Sequence, residues 1–210
     1  MFEDNAQSQE RNEAPGAVFD EPPLSLPALL LHACCGPCSA SVVEQLAPRF
    51  RITLYFCNSN IDTEEEFNRR LEAQKIFVEK YNVSPLRTGE PVSLICAVYE
   101  PAAFAELVQG TEHCQEGGAR CRLCIRDRLE KTADFAKMNG YEYYSTTLSV
   151  SRHKDHTMIH NFGKALSLRY GLSFVEDDYK QGGGEQRSVE LSKEYGLYRQ
   201  TYCGCACSKR

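Results

Sequence analysis

Short apolar segments alternate with longer segments of helical periodicity along most of the chain. ALLLHA (28–33) and RITLYFCN (51–58) are typical of buried strands, and a segment with the spacing of an amphipathic helix follows each of them. Parallel strands have to be joined by crossover connections, which are usually helices. The alternation therefore predicts an α/β fold with a Rossmann-like parallel sheet and helices on both faces.

Capping and turn residues set the expected bounds of the other elements. Asp62 or Thr63 is expected to begin a long helix over 64–82, because acidic residues fill the first turn that follows. Gly140 and Gly171 are expected at the ends of two further helices. The remaining predictions are a third strand at 83–89, helices at 101–110, 121–140, 155–171 and 187–200, a strand that leaves into a Ser/Thr loop within 141–151, a short strand at 173–178, and a glycine loop at 181–186.

Charge is distributed unevenly along the 210 residues. Residues 1–24 hold six acidic residues and one basic residue without hydrophobic periodicity, so residues 1–26 are expected to form a disordered acidic tail. Residues 27–210 are expected to form a single α/β catalytic domain. Residues 25–119 carry five more acids than bases, and residues 120–210 carry five more bases than acids. The second half could therefore attract a polyanion despite the net charge of −5, or the unevenness could be ordinary variation.

Eleven cysteines are hard to reconcile with a disulfide-stabilised secreted protein. The number is odd, and the first twenty residues contain acids where a secretory signal would be basic and then apolar. No segment has the roughly 18 consecutive apolar residues of a membrane span. We therefore expect a cytoplasmic protein without a membrane partner, in which reduced cysteines serve metal or redox chemistry.

Cys34, Cys35 and Cys38 lie where the first strand should turn into the first helix. This turn is at the carboxyl edge of a parallel sheet, where ligands bind, and a helix N-terminus stabilises thiolates through its dipole and its free amides. A phosphate-binding turn would carry several glycines, whereas only Gly36 is present. Nucleotide binding at this turn is therefore disfavoured.

Cys121 and Cys124 form a second CxxC pair, one helical turn apart. Together the two groups could supply the four thiolates of a zinc or iron–sulfur site. Their separation exceeds the roughly 15–20 residues of a zinc ribbon, and the adjacent Cys34 and Cys35 fit a cluster better than one tetrahedral zinc ion. An iron–sulfur cluster is favoured, with structural zinc and simple dithiol exchange as open alternatives.

Six further cysteines lie outside these two groups. Cys57 and Cys96 follow apolar residues and are predicted to be core thiols, whereas Cys114 lies in a polar loop and is left open. In the CGCAC end of the chain, Cys203 and Cys205 are spaced for a redox pair or for cluster ligation. They could equally belong to an exposed tail near the site.

Five motifs follow one another over nearly the whole chain after the tail. They are HACCGPCS at 32–39, CNSNI…EFNRR within 57–70, CRLCIRDRL at 121–129, STTLSVSRHKDH at 145–156 and YCGCACS at 202–208. In this order they resemble the motifs of the QueH-type epoxyqueuosine reductase family. The resemblance implies a fold like that of the adenine-nucleotide hydrolase-like (HUP) group. It also implies a cobalamin-independent reduction of the epoxide of epoxyqueuosine at the tRNA wobble position, the last step of queuosine biosynthesis.

The cofactor and its ligands follow from the same resemblance. Cys34, Cys35, Cys121 and Cys124 match the ligands of a [4Fe-4S] cluster. Cys38 falls where some relatives have an aspartate that binds an additional mononuclear iron, and a thiolate is a softer ligand than a carboxylate. The implied partners are the tRNA anticodon loop and an electron donor that no motif identifies.

Conversion of an epoxide to an alkene needs two electrons and removal of one oxygen. We hypothesise that the epoxide oxygen meets an additional iron held near Cys34, Cys35 and Cys38, and that a positioned acid supplies protons so that the oxygen leaves as water. The expected proton donors are His32, Asp155 and His156. Alternatively, His32 is a packed imidazole at a strand end, and the other two are ordinary helix-capping residues.

Substrate contacts are expected in the other loops at the carboxyl edge of the sheet. The polar residues predicted to bind substrate are Asn58, Asn60, Glu66, Arg70, Thr146, Thr147, Ser149, Ser151 and Arg152. Glu66 and Arg70 could instead form only an intrahelical ion pair. A cationic rim for RNA, or simply a solvated helix face, is expected from Arg120, Arg122, Arg126, Arg128 and Lys131, extended by Arg152, Lys154, Tyr198, Arg199 and Tyr202.

Three other kinds of protein could carry some of the same cysteine motifs. One is a zinc-stabilised RNA-binding module without turnover. Another is a dithiol oxidoreductase of the thioredoxin type, which would work with Cys35 and Cys38 alone. A tRNA thiolation enzyme can also carry CxxC pairs, but the missing nucleotide-binding loop counts against it.

Overall fold

Five strands and six α-helices make up residues 26–209, the part of the chain that the computed structural model describes. The elements are β1 (Ala28–His32), α1 (Gly36–Leu46), β2 (Arg51–Phe56), α2 (Glu64–Val83), β3 (Ser93–Cys96), α3 (Pro101–Leu107), α4 (Ala119–Met138), β4 (Tyr143–Thr146), α5 (His156–Tyr170), β5 (Ser173–Phe174) and α6 (Gly184–Glu194). Short 3₁₀ turns occupy Thr147–Val150, Gln181–Gly183 and Ala206–Ser208. Apart from residue 26, the predicted acidic tail lies outside the described residues.

The five strands form one sheet in the order β3-β2-β1-β4-β5, and every pairing is parallel. The chain moves outward from β1 to β3 and then returns to the other side of β1 with β4. In such a sheet this reversal is the point where the carboxyl-end loops diverge and leave room for a ligand. The α/β prediction with a Rossmann-like parallel sheet is therefore confirmed.

Helices cover both faces of the sheet. Leu29 and Leu31 of β1 point into one core, which contains residues of α1, α2 and α6. Leu30 points to the opposite face, where it packs with residues of α4 and α5. Since successive side chains of a strand point to opposite faces, the apolar run of β1 buries its residues on both sides, as expected for a central parallel strand. Within residues 26–209, no helix is both long and apolar enough to cross a membrane.

Local signals placed several helix ends correctly. The Thr63 hydroxyl accepts a hydrogen bond from the Glu66 amide at the start of α2, so Thr63 is the N-cap. Gly171 ends α5 in the left-handed conformation at φ 65°, and Gly140 follows α4 with φ 72°. Both positions favour glycine because a side chain is strained there.

Several predictions of local structure are wrong, and the last helix, predicted at 187–200, ends at Glu194. Residues 83–89 do not form the third strand, because α2 continues to Val83 and the chain then turns, while β3 lies further on at Ser93–Cys96. The predicted glycine loop also ends too late, since α6 begins at Gly184. A β-carbon on Gly184 would approach the Tyr179 carbonyl oxygen to 1.8 Å, so the glycine permits a close backbone contact there.

The two cysteines predicted to be core thiols differ in burial. Cys57 is buried behind β2, as predicted. Cys96 is exposed, and this prediction is wrong. β3 is an edge strand of the sheet, so its last residue lacks a covering neighbour on one side.

Candidate functional site

Cys34, Cys35 and Cys38 lie in the turn between β1 and the first turn of α1, and we call them the turn thiols. Their three sulfur atoms all lie within 4.8 Å of one another. Cys35 is the N-cap of α1, and Pro37 favours helix initiation just after it. At Gly36 a β-carbon would meet the Ala73 carbonyl oxygen at 2.8 Å, so glycine allows this turn to pack closely against α2.

Hydrogen bonds between the turn thiols favour deprotonation of one of them over the other two. The thiols of Cys35 and Cys38 hold the pKa of Cys34 well below its usual range, and the Thr147 hydroxyl, 3.3 Å from the Cys34 sulfur, acts in the same direction. The interaction with Cys34 raises the pKa of Cys38, and it raises that of Cys35 to about 12. Three neighbouring thiols, of which Cys34 is the most easily deprotonated, are a suitable set of soft donors for a metal ion.

His32 lies at the end of β1, fully buried beneath the turn thiols. Its Nδ1 is 2.9 Å from the Thr146 hydroxyl, and its Nε2 is 3.2 Å from the Cys57 carbonyl oxygen. A carbonyl oxygen only accepts, so the hydrogen-bond network assigns the proton to Nε2. Burial, with the nearby Arg128 charge, lowers the pKa of His32 to about 4. A neutral imidazole with both nitrogens bonded to protein joins β1, β2 and β4.

A cavity of about 670 Å³ opens beside the turn thiols. Cys34, Cys38 and Thr147 line it on the sheet side. Basic and polar residues line much of the remainder, among them Arg128, His153, Lys154, Arg199, Gln200 and Lys209. Its volume falls within the roughly 300–1,000 Å³ range of small-molecule sites.

A narrower pocket adjoins this cavity. Four thiols line it, which we call the pocket thiols: Cys121 and Cys124 from α4, and Cys203 and Cys205 from the C-terminal segment. Arg128, Lys154 and Cys203 line both spaces. The 34–38 turn and the 121–124 turn therefore lie on the same side of the molecule, as the sequence predicted, and the CGCAC end joins them.

Charged and polar groups surround the pocket thiols. Lys154 Nζ donates to the Cys203 sulfur at 3.0 Å, and it lies 3.8 Å from a Glu116 carboxylate oxygen. Burial acts to lower the pKa of Lys154, but charge on Cys203 outweighs it and the pKa is raised. Burial raises the pKa of Cys124 to about 11, and the Arg128 charge opposes that rise.

The C-terminal segment is tied to α2 by buried polar contacts. Arg70 Nε donates to a Glu66 carboxylate oxygen at 2.7 Å, and the guanidinium also donates to the backbone carbonyls of Cys203 and Tyr202 at 3.0 and 3.1 Å. The Tyr198 hydroxyl donates to the other Glu66 oxygen at 2.8 Å. Glu66 and Arg70 therefore form the ion pair that was the alternative to substrate binding, and this pair also positions Cys203.

The remaining predicted substrate residues are divided between the site and the core. Thr147 and Ser151 line the large cavity, and Asn60 lines the narrow pocket with an amide oxygen that has no partner among the described residues. The others are engaged elsewhere: Asn58 donates to the Ala33 carbonyl, Thr146 binds His32, Ser149 lies 3.5 Å from the Asp177 carbonyl, and Arg152 is exposed beside Glu185.

The two other predicted proton donors lie away from the large cavity. Asp155 is the N-cap of α5 and accepts from the Met158 amide, and His156 is the first residue of that helix. Neither lines the cavity, whereas His153 does. His153, Gln200 and Lys209 were not identified from the sequence. The motif SRHKDH contains His153, but no local signal shows which of its residues faces the cavity.

The predicted cationic rim on α4 is only partly formed. Arg120 and Arg128 are buried, so the prediction is wrong for these two residues. Their spacing places them on the face of α4 that also carries Cys121 and Cys124, which packs inward. Arg126 and Lys131 lie outside and pair with acids of the same helix. Besides Arg128, the basic residues that line the cavity come from other segments, namely Arg70, Lys154, Arg199 and Lys209.

Comparison with known proteins gives a consistent match. The family model described as "Epoxyqueuosine reductase QueH" matches residues 29–210. A relative of that name from Streptococcus pyogenes serotype M1 is 40% identical over 179 residues, covering 85% of this chain and 69% of the relative. One from Thermotoga maritima is 35% identical over 183 residues, covering 86% and 89%.

A third relative of the same name, from Haemophilus influenzae, is 33% identical over 215 residues, covering 100% of this chain and 84% of its own length. The motifs, the parallel sheet and the thiol-lined cavity agree with these matches. The chain belongs to the QueH family of epoxyqueuosine reductases.

Proposed function

We propose that this protein reduces epoxyqueuosine to queuosine at the wobble position of tRNA. In the reaction the epoxide gains two electrons and two protons, both C–O bonds break, an alkene forms and the oxygen leaves as water. The observation that carries the proposal is the convergence of three sulfur atoms within 4.8 Å of one another at a cavity of about 670 Å³. Family membership identifies the substrate that such a redox-capable site would reduce.

Two of the turn thiols, Cys34 and Cys35, and two of the pocket thiols, Cys121 and Cys124, would hold a [4Fe-4S] cluster. The donor chemistry fits, because iron–sulfur clusters are held by cysteine thiolates. Cys38, the third turn thiol, would hold an additional mononuclear iron next to the cluster. When bound, such a group supplies electrons one at a time and a Lewis acid for the oxygen.

The chain's own residues would bind and orient the tRNA. Lys154, Arg199 and Lys209 give the cavity basic groups for phosphates, and Ser151 and Thr147 add hydroxyls. The cavity is large enough for one modified nucleoside, so we propose that the wobble base is splayed out of the anticodon loop into it. The Asn60 amide oxygen in the adjoining pocket, which has no hydrogen-bond partner within residues 26–209, is a further acceptor for a hydroxyl.

Protons for the departing oxygen would come from groups that line the cavity. His153 and Lys154 both line it and can carry a proton. The geometry favours these two residues as proton donors over His32, because both ring nitrogens of His32 are engaged in hydrogen bonds. It also favours them over Asp155 and His156, which do not line the cavity. Cys203 and Cys205 remain candidates for a redox pair beside the site.

The tRNA substrate and the eleven cysteines support a cytoplasmic location, where thiols are kept reduced. Each turnover consumes two electrons, so an external donor has to return them to the site.

Anaerobic purification followed by iron and sulfide analysis and mass spectrometry of tRNA nucleosides tests the function. We expect roughly four iron and four sulfide atoms per chain, plus iron at the second site, and conversion of epoxyqueuosine to queuosine. A colourless, zinc-loaded protein that leaves epoxyqueuosine unchanged would contradict the proposal.

Cys124→Ser with Cys57→Ser as its control makes the test specific. Both cysteines are buried, but only Cys124 lies among the pocket thiols. Cys124→Ser should lose the cluster and reduce turnover by at least about 100-fold, whereas Cys57→Ser should keep both. Full activity in Cys124→Ser would instead favour a dithiol mechanism that uses Cys35 and Cys38 alone.

A further inference from the structure

Arg128 is a buried cation without an acidic partner among residues 26–209. Its residue is 3% exposed, and none of the ion pairs among residues 26–209 includes it. Its Nε donates to the Cys124 carbonyl one turn back on α4 at 3.3 Å, while its buried Nη2 has no hydrogen-bond partner in the described part of the chain. A buried charge is costly unless other groups compensate it.

The position of Arg128 indicates what compensates the charge. It lines the large cavity together with Cys34 and Cys38, and it lines the narrow pocket together with Cys121 and Cys124. Burial acts to lower the pKa of Arg128, but the charges that the Cys124, Cys203 and Cys34 sulfurs can carry outweigh it and raise the pKa. The cation therefore stands between the turn thiols and the pocket thiols.

Lys154, the other base that lines both spaces, differs in an important respect. It already has the Cys203 sulfur at 3.0 Å and the Glu116 carboxylate at 3.8 Å. Arg128 has no carboxylate partner in the described part of the chain. A guanidinium keeps its charge at every pH at which the protein is folded. Its free N–H group can donate to a sulfur atom, and hydrogen bonds to the sulfurs are one of the factors that set iron–sulfur potentials.

We propose that Arg128 is a positioning residue whose permanent charge stabilises the reduced form of the iron–sulfur group held between the two sets of thiols. The inference rests on the proposed function. Reduction adds one negative charge to the site, and a fixed cation in a poorly solvated interior interacts more favourably with the more negative form. Arg128 therefore raises the reduction potential and makes the site easier to load with electrons.

Spectroscopic redox titration of anaerobically purified protein tests this role. Arg128→Met replaces the cation with an uncharged side chain, and Arg128→Lys keeps a charge. Arg128→Met should retain iron but shift the reduction equilibrium at least tenfold against the reduced form, which is about 59 mV for a one-electron couple. Arg128→Lys should recover most of that shift. Arg169→Met, whose side chain is 61% exposed and pairs with Glu130, is the matched control and should leave the potential unchanged.

A second measurement needs no iron. In the metal-free protein Arg128 is a buried cation without a carboxylate partner among residues 26–209, so Arg128→Met should raise the denaturant midpoint of unfolding while it lowers the potential of the loaded protein. A residue with only a packing role would lower the midpoint and leave the potential unchanged.

The outcomes separate this inference from the proposed function. Absence of iron from the wild-type protein would contradict the proposed function, and the metal-free stability comparison would still test Arg128. A wild-type potential in Arg128→Met would overturn the inference. If Arg128→Met fails to hold iron, Arg128→Lys decides: a potential within tenfold of wild type supports the role of charge, and a larger shift or loss of iron overturns it.

Discussion

The turn thiols are brought together by local structure, whereas the pocket thiols are brought together by packing of distant segments. The turn thiols belong to one short segment, and their sulfurs lie within 4.8 Å of one another because the strand β1 ends and the helix α1 begins there. The pocket thiols come from α4 and from the C-terminal segment, which are far apart in the chain. A site of this kind therefore combines a locally encoded half with a half that exists only after long-range packing.

This difference predicts different sensitivities. The turn thiols depend on the N-terminus of α1 and on Thr147, which are short-range or adjacent-strand features. The pocket thiols depend on Arg70, which holds the backbone of Cys203 against α2. Perturbation of Arg70 should disturb the second group while it leaves the first nearly intact, and perturbation of Thr147 should do the reverse.

The largest expected effect comes from Arg70→Ala. This change breaks a buried ion pair whose side chains are 3% and 7% exposed and leaves Glu66 without its partner. We expect the free energy of unfolding to fall by about 3–5 kcal/mol, measured by denaturant titration. Alkylation of Cys203 and Cys205, mapped by mass spectrometry, should accelerate, while alkylation of the turn thiols should change little.

Arg69→Ala is the matched control for that experiment. Arg69 is the exposed neighbour of Arg70, with its guanidinium 4.1 Å from the centroid of the Tyr198 ring. Its removal should cost about 0.5–1 kcal/mol. Equal losses from the two variants would show that the C-terminal segment does not depend on the buried pair.

His32 provides an intermediate effect that depends on pH. Its pKa is 6.5 in the unfolded chain and about 4 in the folded protein, so the unfolded state binds more protons between these values. Stability is therefore fully present above pH 6.5 and falls as the pH drops toward 4, by a total of about 3 kcal/mol. His32→Gln should remove this part of the acid-side loss in urea titrations of the metal-free protein.

The control for this pH dependence is His153→Gln, which changes an exposed histidine of the cavity. This change removes an imidazole without touching the hydrogen bonds of His32, so the acid-side loss attributed to His32 should remain in this variant. If His32→Gln and wild type lose stability in parallel, His32 does not provide the neutral link beneath the turn thiols that its two hydrogen bonds indicate.

The smallest effect is expected from Thr147→Val. The Thr147 hydroxyl donates to the Cys34 sulfur at 3.3 Å and accepts from the Cys34 amide at 3.2 Å. Its loss should raise the pKa of Cys34, slow alkylation of this thiol near neutral pH, and cost about 1 kcal/mol of stability. The exposed Cys96 is an internal control whose alkylation rate should not change. Slower alkylation of the pocket thiols as well would break the proposed independence of the two groups.

Several elements could be predicted because their signals are local. The apolar run of β1, the Thr63 cap of α2 and the Gly171 end of α5 each depend on residues within a few positions of one another. The third strand could not be placed in the same way. β3 has four residues at the edge of the sheet, too short for a clear pattern, and its pairing with β2 decides its position.

The burial of charged residues was also beyond local reasoning. Arg120 and Arg128 look like surface bases in the sequence, because arginine is mostly exposed in proteins. In the structure Arg128 faces the thiols, and Arg120 donates to the Cys114 carbonyl at 2.9 Å. Glu66 and Arg70 have the spacing of an ordinary helix pair, and nothing in that spacing shows that the C-terminal segment will cover them.

The sequence by itself determined the strand–helix alternation, several helix ends and the grouping of the turn thiols. These features depend on backbone preferences and hydrogen bonds between residues close in the chain, so a short stretch of sequence is enough to predict them. Only the tertiary structure decided that the CGCAC end lies beside Cys121 and Cys124, and that Arg128 stands between the two groups. Such contacts depend on which distant segments are packed together, and no short window of sequence contains that information.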